Sequence, residues 1–292
     1  MTLNTPCAPR AENEVRIDRY LDRVKHLPPA PTLMIKLLEL FRKPEHDLDQ
    51  IVQVMCQDLA ITAELLRRCN RLYFNNQDPV TDVYEAVFRL GFNELHRMTM
   101  VLFGLHTMST GDFAKGVESE PLWWHSLVTA ICAGCLAREL EETEGTAFTS
   151  GLLHDVGKVV LANQEGGKYL QLCEENGIVL CEAEQAAFGF THAEIGGRLL
   201  SRWGVPATVV VPVFCHHQSA WSGPFARLSS IVCLANLLAH ELEGSAASKP
   251  CELPEAVKAL ELLKLTPEKL AAMEPTLRSE IERLGPLFAF QG

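Results

Sequence analysis

The sequence predicts an all-α protein, and three observations carry that prediction. Apolar residues recur at intervals of three and four along most of the chain, whereas alternation at every second residue, the mark of a half-buried strand, is nearly absent. Candidate capping residues stand before the apolar runs, and prolines or glycines stand behind them. The polar connections between runs are short.

After Leu27-Pro28-Pro29-Ala30-Pro31, Thr32 can cap a helix in which Leu33, Leu37, Leu40 and Phe41 recur at helical spacing, and Pro44 stops it. Asp47 begins the next helix, with Leu48, Ile51, Val52 and Met55, and Asp58 begins a third, with Ala63, Leu66, Cys69 and Leu72. Thr81 and Asn93 are further candidate caps, with Gly91 as a helix-ending glycine between them, and helical spacing continues from Glu94 to Met108. A polar, glycine-containing break from Ser109 to Glu120 is the expected boundary between two halves. Pro121 to Leu140 then reads as one long helix, its proline in the first turn where the missing N–H is harmless. Trp123-Trp124 is expected to pack between the halves, given the bulk such rings bury.

The polar break Glu141 to Gly145 precedes an apolar helix, Phe148 to Val156, and Gly166-Gly167 interrupts the region after it. Cys173 to Phe188 is expected as one helix with its acids on the exposed face. His192 opens another through Leu200. Val205 to Phe214 is β-branched enough to tempt a strand assignment, but Pro206 suits a helix start and Pro212 a kink, so helix is favoured. Gly244 to Pro250 reads as a linker. Helices are then expected over Pro254 to Leu265 and from Thr266-Pro267, with a separate short last helix from Pro275 to Gly285-Pro286.

A chain of 292 residues, 47% hydrophobic, can bury one large core or two smaller ones. No run approaches the roughly 18–20 apolar residues of a membrane span, and the start Met1 to Arg10 lacks a signal-peptide pattern. A cytoplasmic protein with no membrane partner is therefore expected. Ten cysteines, most within apolar helical stretches, read as reduced core residues. Cys132-Ala133-Gly134-Cys135 lies inside an apolar helix, which argues against a redox motif. A net charge of −11 argues against a nucleic-acid partner, although a local basic patch could still bind a nucleotide.

The stretch Gly151-Leu152-Leu153-His154-Asp155-Val156-Gly157-Lys158 carries the chemistry. A histidine and an aspartate side by side in an apolar helix are two polar groups that need compensation. A divalent metal would supply it, since imidazole and carboxylate are both first-choice ligands; so would neighbouring backbone and side chains. The dipeptide alone leaves both readings open.

His154-Asp155 followed by Val-Gly-Lys resembles the HD signature of the HD-superfamily metal-dependent phosphohydrolases. Those enzymes take one histidine from an earlier helix, and His125 in Pro121-Leu122-Trp123-Trp124-His125 falls there. They take an aspartate from a late helix, where this chain has Asn236, within Ile231 to Ala239. His192 in Thr191-His192-Ala193-Glu194, and His216-His217, resemble the additional histidines of the HD-GYP branch, which hold further metal ions. The chain also departs from the pattern: no Gly-Tyr-Pro follows His217, and Pro121 replaces the glutamate expected one turn before His125. With Leu27 to Pro31, Asp58 to Leu66 leading to Asn70, and Ala86 to Gly91, the pattern from about Leu27 to Ala239 is similar to the HDOD family, the HD-related output domain of bacterial signalling proteins.

That resemblance implies an HD-domain-like helical core preceded by an N-terminal helical bundle. It divides the chain into an extension (1–26), the N-terminal subdomain (27–115), the HD-like subdomain (116–245) and a linker with helical tail (246–292). It implies His125, His154, Asp155, His192, His216, His217 and Asn236 as the residues around one or two divalent ions, drawn from Fe, Mn, Zn, Mg and Ni. An amide at position 236 is a weaker ligand than a carboxylate. Lys158 either steadies a substrate phosphate or neutralises a helix C-terminus. His26, His46, His96, His106 and His240 match no ligand position and are expected to be surface or satisfied core residues. The implied function is regulation through contact with a signalling partner. No input domain fits in the remaining residues, so the input is expected on a separate chain; a homodimer and a nucleotide ligand are compatible with it. The alternative is a metal-dependent phosphohydrolase of a cyclic dinucleotide or other nucleotide, its metal lowering the pKa of a water.

Overall fold

Every regular element among the described residues is an α-helix, as the apolar spacing predicts. The computed structural model describes residues 11–23, 32–43, 47–72, 79–109, 119–176, 180–218, 221–244 and 253–288. The first half holds α1 (Ala11–Arg23), α2 (Thr32–Phe41), α3 (Leu48–Met55), α4 (Leu59–Leu72), α5 (Val83–Leu90) and α6 (Phe92–Ser109). The second holds α7 (Ser119–Glu139), α8 (Glu144–Leu153), α9 (Val156–Glu165), α10 (Gly167–Asn176), α11 (Leu180–Phe188), α12 (His192–Arg202), α13 (Ala207–Cys215) and α14 (Ala226–Leu242). It is followed by α15 (Pro254–Leu263) and α16 (Pro267–Phe288). None of these helices is long and apolar enough to cross a membrane.

The caps explain several boundaries. Asp47 accepts from the Gln50 N–H at 3.0 Å and Asp58 from the Ile61 N–H at 3.0 Å, so both begin helices as expected. For α5 the cap is Asp82, which accepts from the Glu85 N–H at 2.9 Å, and not its neighbour Thr81. Asn93 is no cap either. Gly91 turns the chain at φ +81°, a conformation that favours glycine, and α6 starts at once with Phe92. Asn70 clamps the chain ahead of α5, donating to the Val80 carbonyl at 2.9 Å and accepting from its N–H at 2.6 Å.

One contiguous apolar core runs from Met34 in α2 to Leu284 in α16. Trp123, 1% exposed, lies against Gly104 of α6, where an added Cβ would come within 3.0 Å of its ring. Trp124 behaves differently: it is 37% exposed and rests on Gly285 of α16. Helix α13 forms despite its β-branched run and contains Pro212, as expected. Two other expectations are corrected. The Cys173–Phe188 segment is divided between α10 and α11, and its Glu184 is fully buried rather than exposed. The chain from Pro267 to Phe288 is one helix, not two, because buried Leu270, Leu277 and Leu284 recur every seven residues and keep one apolar face on α7 through Pro275. Leu27 to Pro31, Pro44, His26, His46, residues 110–118 and 245–250, and the side chain of His106 lie outside the described residues.

The first 26 residues read from the sequence as an extension with no assigned element, yet α1 packs on α12 in the second half. Ile17 and Leu21, each 1% exposed, join a second cluster with Val160, Leu161, Phe190, Ile195 and Leu199. Asp18 accepts from Arg198 at 2.6 and 2.7 Å, and Arg202 spans Asp18 and Asp22. Burial of the two apolar side chains contributes about 1.5–3 kcal/mol each, more than the part-exposed ion pairs at about 0–1 kcal/mol. Apolar contact therefore holds α1, and the ion pairs orient it.

Two outcomes follow. At Gly157 a Cβ would stand 1.9 Å from the His192 carbonyl oxygen and 2.9 Å from the Gly196 nitrogen, both backbone atoms that cannot swing aside. Gly157→Ala should therefore cost about 3 kcal/mol or more in urea unfolding, at or beyond the top of the usual range for overpacking. Hydrogen bonding to Arg198, helped by the charges of Arg198 and Arg202, lowers the Asp18 pKa against the opposing effect of burial. Its contribution is thus present above the unfolded value of about 3.9 and fades as pH falls through the lower folded value. Asp18→Asn should cost about 0.5–1 kcal/mol at pH 7. The gap to wild type should close in acid.

Candidate metal centre

The His154-Asp155 pair does not sit in the middle of a helix. Helix α8 ends at Leu153, Asp155 adopts φ −97° and ψ 10°, and α9 restarts at Val156, so the pair forms a corner whose side chains turn into the second half. Around that corner the structure brings His125 from α7, His192 from the first turn of α12, His216 and His217 from the end of α13, and Asn236 from α14. His154, Asp155, His192 and His216 are 0–1% exposed, and His217 is exposed at the rim.

The four buried histidines share one design. The Nδ1 of His154 faces the Gly151 carbonyl at 2.7 Å, that of His216 the Val213 carbonyl at 2.6 Å, that of His192 the Glu184 carboxylate at 2.8 Å, and that of His125 the Glu243 carboxylate at 2.9 Å. Carbonyls and carboxylates only accept, so in His154, His216 and His192 Nδ1 carries the hydrogen and Nε2 presents a lone pair to the centre. His125 meets an acceptor at each nitrogen, Glu243 Oε2 and Asn236 Oδ1, both at 2.9 Å. Asp155 lies among those lone pairs. Its Oδ1 is 3.3 Å from His192 Nε2 and 3.8 Å from His216 Nε2; its Oδ2 is 3.3 Å from His154 Nε2. Lone pairs facing a carboxylate with no hydrogen between them repel unless a cation intervenes. Consistent with this, His154 Nε2 and Asp155 Oδ1 are buried without a hydrogen-bond partner among the described residues.

Protonation favours the same arrangement. Burial pushes the pKa of His154 down despite the nearby Asp155, and burial with the adjacent histidine rings pushes His216 well down, so both stay neutral. Burial alone would raise the Asp155 carboxyl, but His154 and Lys158 outweigh it and hold it well below the usual carboxylate range. The ligand atoms fall into two overlapping groups, His125–His154–Asp155 and Asp155–His192–His216, each within 4.8 Å. Asp155 belongs to both groups. The donor set of neutral imidazoles and one ionised carboxylate fits a divalent cation.

Two groups of the protein already occupy part of this space. Lys158 lies in the first turn of α9, not at a helix C-terminus as one sequence expectation had it, because the chain breaks at Asp155; its Nζ donates to Asp155 Oδ2 at 2.7 Å. Asn236 stands 2.9 Å from His125 Nε2.

Sequence reasoning missed three contributors. Glu184 accepts from Tyr169 at 2.5 Å and from both the N–H and Nδ1 of His192 at 2.8 Å; nothing in its helix singled it out. His240 matches no ligand position in the sequence, yet it stacks on His125 at 4.3 Å, and burial beside His125 lowers its pKa to about 3. Glu243 and His240 lie seven and four residues beyond Asn236, one helix face, and that spacing was a usable signal. A cavity of about 350 Å³, lined by Phe41, Arg42 and His96 among others, lies between α2, α6 and the start of α8, away from the centre.

Glu184→Gln should leave His192 with a weaker acceptor and free its tautomer. Divalent metal affinity, read by titration with metal content as the check, should fall by about 10- to 100-fold.

The HDOD domain model matches residues 27–219. An uncharacterised protein of Treponema pallidum is 26% identical over 270 residues, 89% of this chain and 51% of that protein. Ribonuclease Y of Acholeplasma laidlawii is 29% identical over 161 residues, 55% of this chain and 24% of that protein. The chain thus spans about half the length of the first relative and about a quarter of the second. An HDOD domain protein of unknown function from Geobacter sulfurreducens has the same helical fold, with a TM-score of 0.77 and 21% identity over 94% of this chain and 98% of that one. With a family match over well more than half of its length, on the helical architecture just described, the chain belongs to the HDOD domain family.

Proposed function

We propose that this chain is a regulatory signalling module of the HDOD type, acting through protein contact, with an HD-type centre that takes a single divalent ion. The observation that carries the reading is the internal occupation of one half of the centre. Lys158 covers Asp155 Oδ2 at 2.7 Å, and Asn236 covers His125 Nε2 at 2.9 Å. A two-ion hydrolase needs both atoms for metal. The other half keeps Asp155 Oδ1 and the Nε2 atoms of His192 and His216 turned inward.

When bound, the ion compensates Asp155 and cross-links the α8–α9 corner to α12 and α13. The protein's own part is orientation: the Gly151 and Val213 carbonyls and Glu184 fix three imidazoles by their outer nitrogens. Large apolar side chains are exposed on the first half. Phe88 is 90% exposed on α5 and Leu59 is 81% exposed at the start of α4, while Tyr84 joins α5 to α3 through Asp49. A signalling partner, an added nucleotide or a second copy of the chain would meet the module outside the metal centre.

A second reading, a metal-dependent phosphohydrolase acting on a cyclic dinucleotide or other nucleotide, is favoured by the place of Asp155 in both ligand groups. In it, Lys158 would release Asp155 and take a substrate phosphate.

Metal analysis and a phosphodiesterase assay on the same sample separate the two. Wild type should hold at most one ion per chain, weakly, and turn over cyclic dinucleotides little or not at all. Asn236→Asp should raise metal affinity by about 10- to 100-fold. Steady hydrolysis by the metal-loaded wild type, lost in His154→Ala, would promote the hydrolase.

A further inference from the structure

We propose that Cys181, His192 and His217 form an outer metal position at the rim of the centre, one that selects a thiophilic divalent ion such as zinc. The inference rests on the reading that the inner histidines face a metal, and adds to it a sulfur ligand.

The geometry begins at α11. Cys181 is its second residue, half-buried, and its Sγ lies with one nitrogen each of His192 and His217 in a group whose atoms are all within 4.8 Å of one another. His192 Nδ1 is committed to Glu184, so the nitrogen it offers is Nε2, 3.0 Å from His217 Nε2. A tetrahedral ion with sulfur at about 2.3 Å and nitrogens at about 2.0–2.1 Å places its ligand atoms about 3.3–3.6 Å apart. Small side-chain rotations cover the difference, and His217, exposed, has room to make them.

His192 sets the logic of the site. Its single free lone pair also belongs to the inner group with Asp155 and His216, so it serves the inner or the outer position, not both at once. The inner set is nitrogen and oxygen, which harder ions accept; the outer set is one cysteine and two imidazoles, which favours zinc or cobalt over magnesium or manganese. Burial pushes the Cys181 thiol up to about 12, so it must release its proton as the metal binds. Three protein ligands leave a fourth position, and exposure of His217 opens it to solvent. The type of ion therefore decides where it sits: a soft ion is held at the rim, a hard one inside.

Cobalt(II) reports sulfur ligation directly, independent of any catalytic assay. The full chain, reduced and metal-free, is titrated with cobalt(II) while visible d–d bands and near-ultraviolet thiolate-to-cobalt charge transfer are followed. Wild type should show both. Cys181→Ser and Cys181→Ala should lose the charge-transfer band and keep d–d absorption from nitrogen ligation, with unchanged far-ultraviolet circular dichroism; Cys173→Ser, altered in the neighbouring helix, should keep both signals. A charge-transfer band that persists in both Cys181 variants overturns the proposal. So does d–d absorption without charge transfer in wild type, an outcome that leaves the inner centre standing. Absence of any cobalt signal overturns the outer position and the metal reading together.

Discussion

A carboxylate with 1% of its surface exposed is the constraint around which the second half is arranged. Burying an unpaired charge costs several kcal/mol, so Asp155 cannot stand in this core without a positive partner. Lys158, three residues on, meets one oxygen. Burial opposes the charge on Lys158, but the adjacent Asp155 outweighs it and raises the lysine pKa, so the pair remains ionic. Among the described residues, the other oxygen meets imidazole nitrogens whose hydrogens point outward. Half of the requirement is thus met by Lys158, and the other half faces imidazole nitrogens, which separates this centre from an ordinary buried ion pair.

The corner can reach its partners only because small residues flank it. At Gly151, a Cβ would come within 2.9 Å of the Ala130 Cα; at Gly157, within 1.9 Å of the His192 carbonyl oxygen. One glycine lets α8 press on α7, which carries His125, and the other lets α9 press on α12, which carries His192. Gly196 completes the second crossing from the opposite side, where its Cβ would stand 3.0 Å from the Gly157 nitrogen. The motif's spacing, Gly-Leu-Leu-His-Asp-Val-Gly, is therefore mechanical as well as chemical: two close approaches hold two histidines within reach of one carboxylate.

Much of this was legible in the sequence, for identifiable reasons. Helical spacing, Asp47 and Asp58 marked local structure, and local structure depends on neighbours a few residues away. The six ligand-type residues were legible through the order of motifs along the chain, and the structure brings them to one place. What escaped was long-range. Glu184 resembled any acid on an amphipathic helix until Tyr169 and His192 were seen to close over it. Helix α1 carried too few apolar residues to announce itself, and its place depends on α12, some 180 residues away in sequence. Pro275 gave a true local signal for a helix start that the continuous leucine face of α16 overrides.

The departure at position 236 changes what the centre requires to be stable. A carboxylate there would join Glu243 in facing His125, one acceptor at each ring nitrogen, and the ring could satisfy both only as a buried imidazolium or by giving Nε2 to a metal. An amide removes that demand. Asn236 Oδ1 stands 2.9 Å from His125 Nε2, and rotation of the amide about its terminal bond would present its NH₂ there instead as a donor, which a carboxylate cannot do. Lys158 does the equivalent for Asp155 Oδ2. The His125 side of the centre can then be satisfied by the chain itself, which leaves Asp155 Oδ1 and the histidines around it as the groups a cation would compensate.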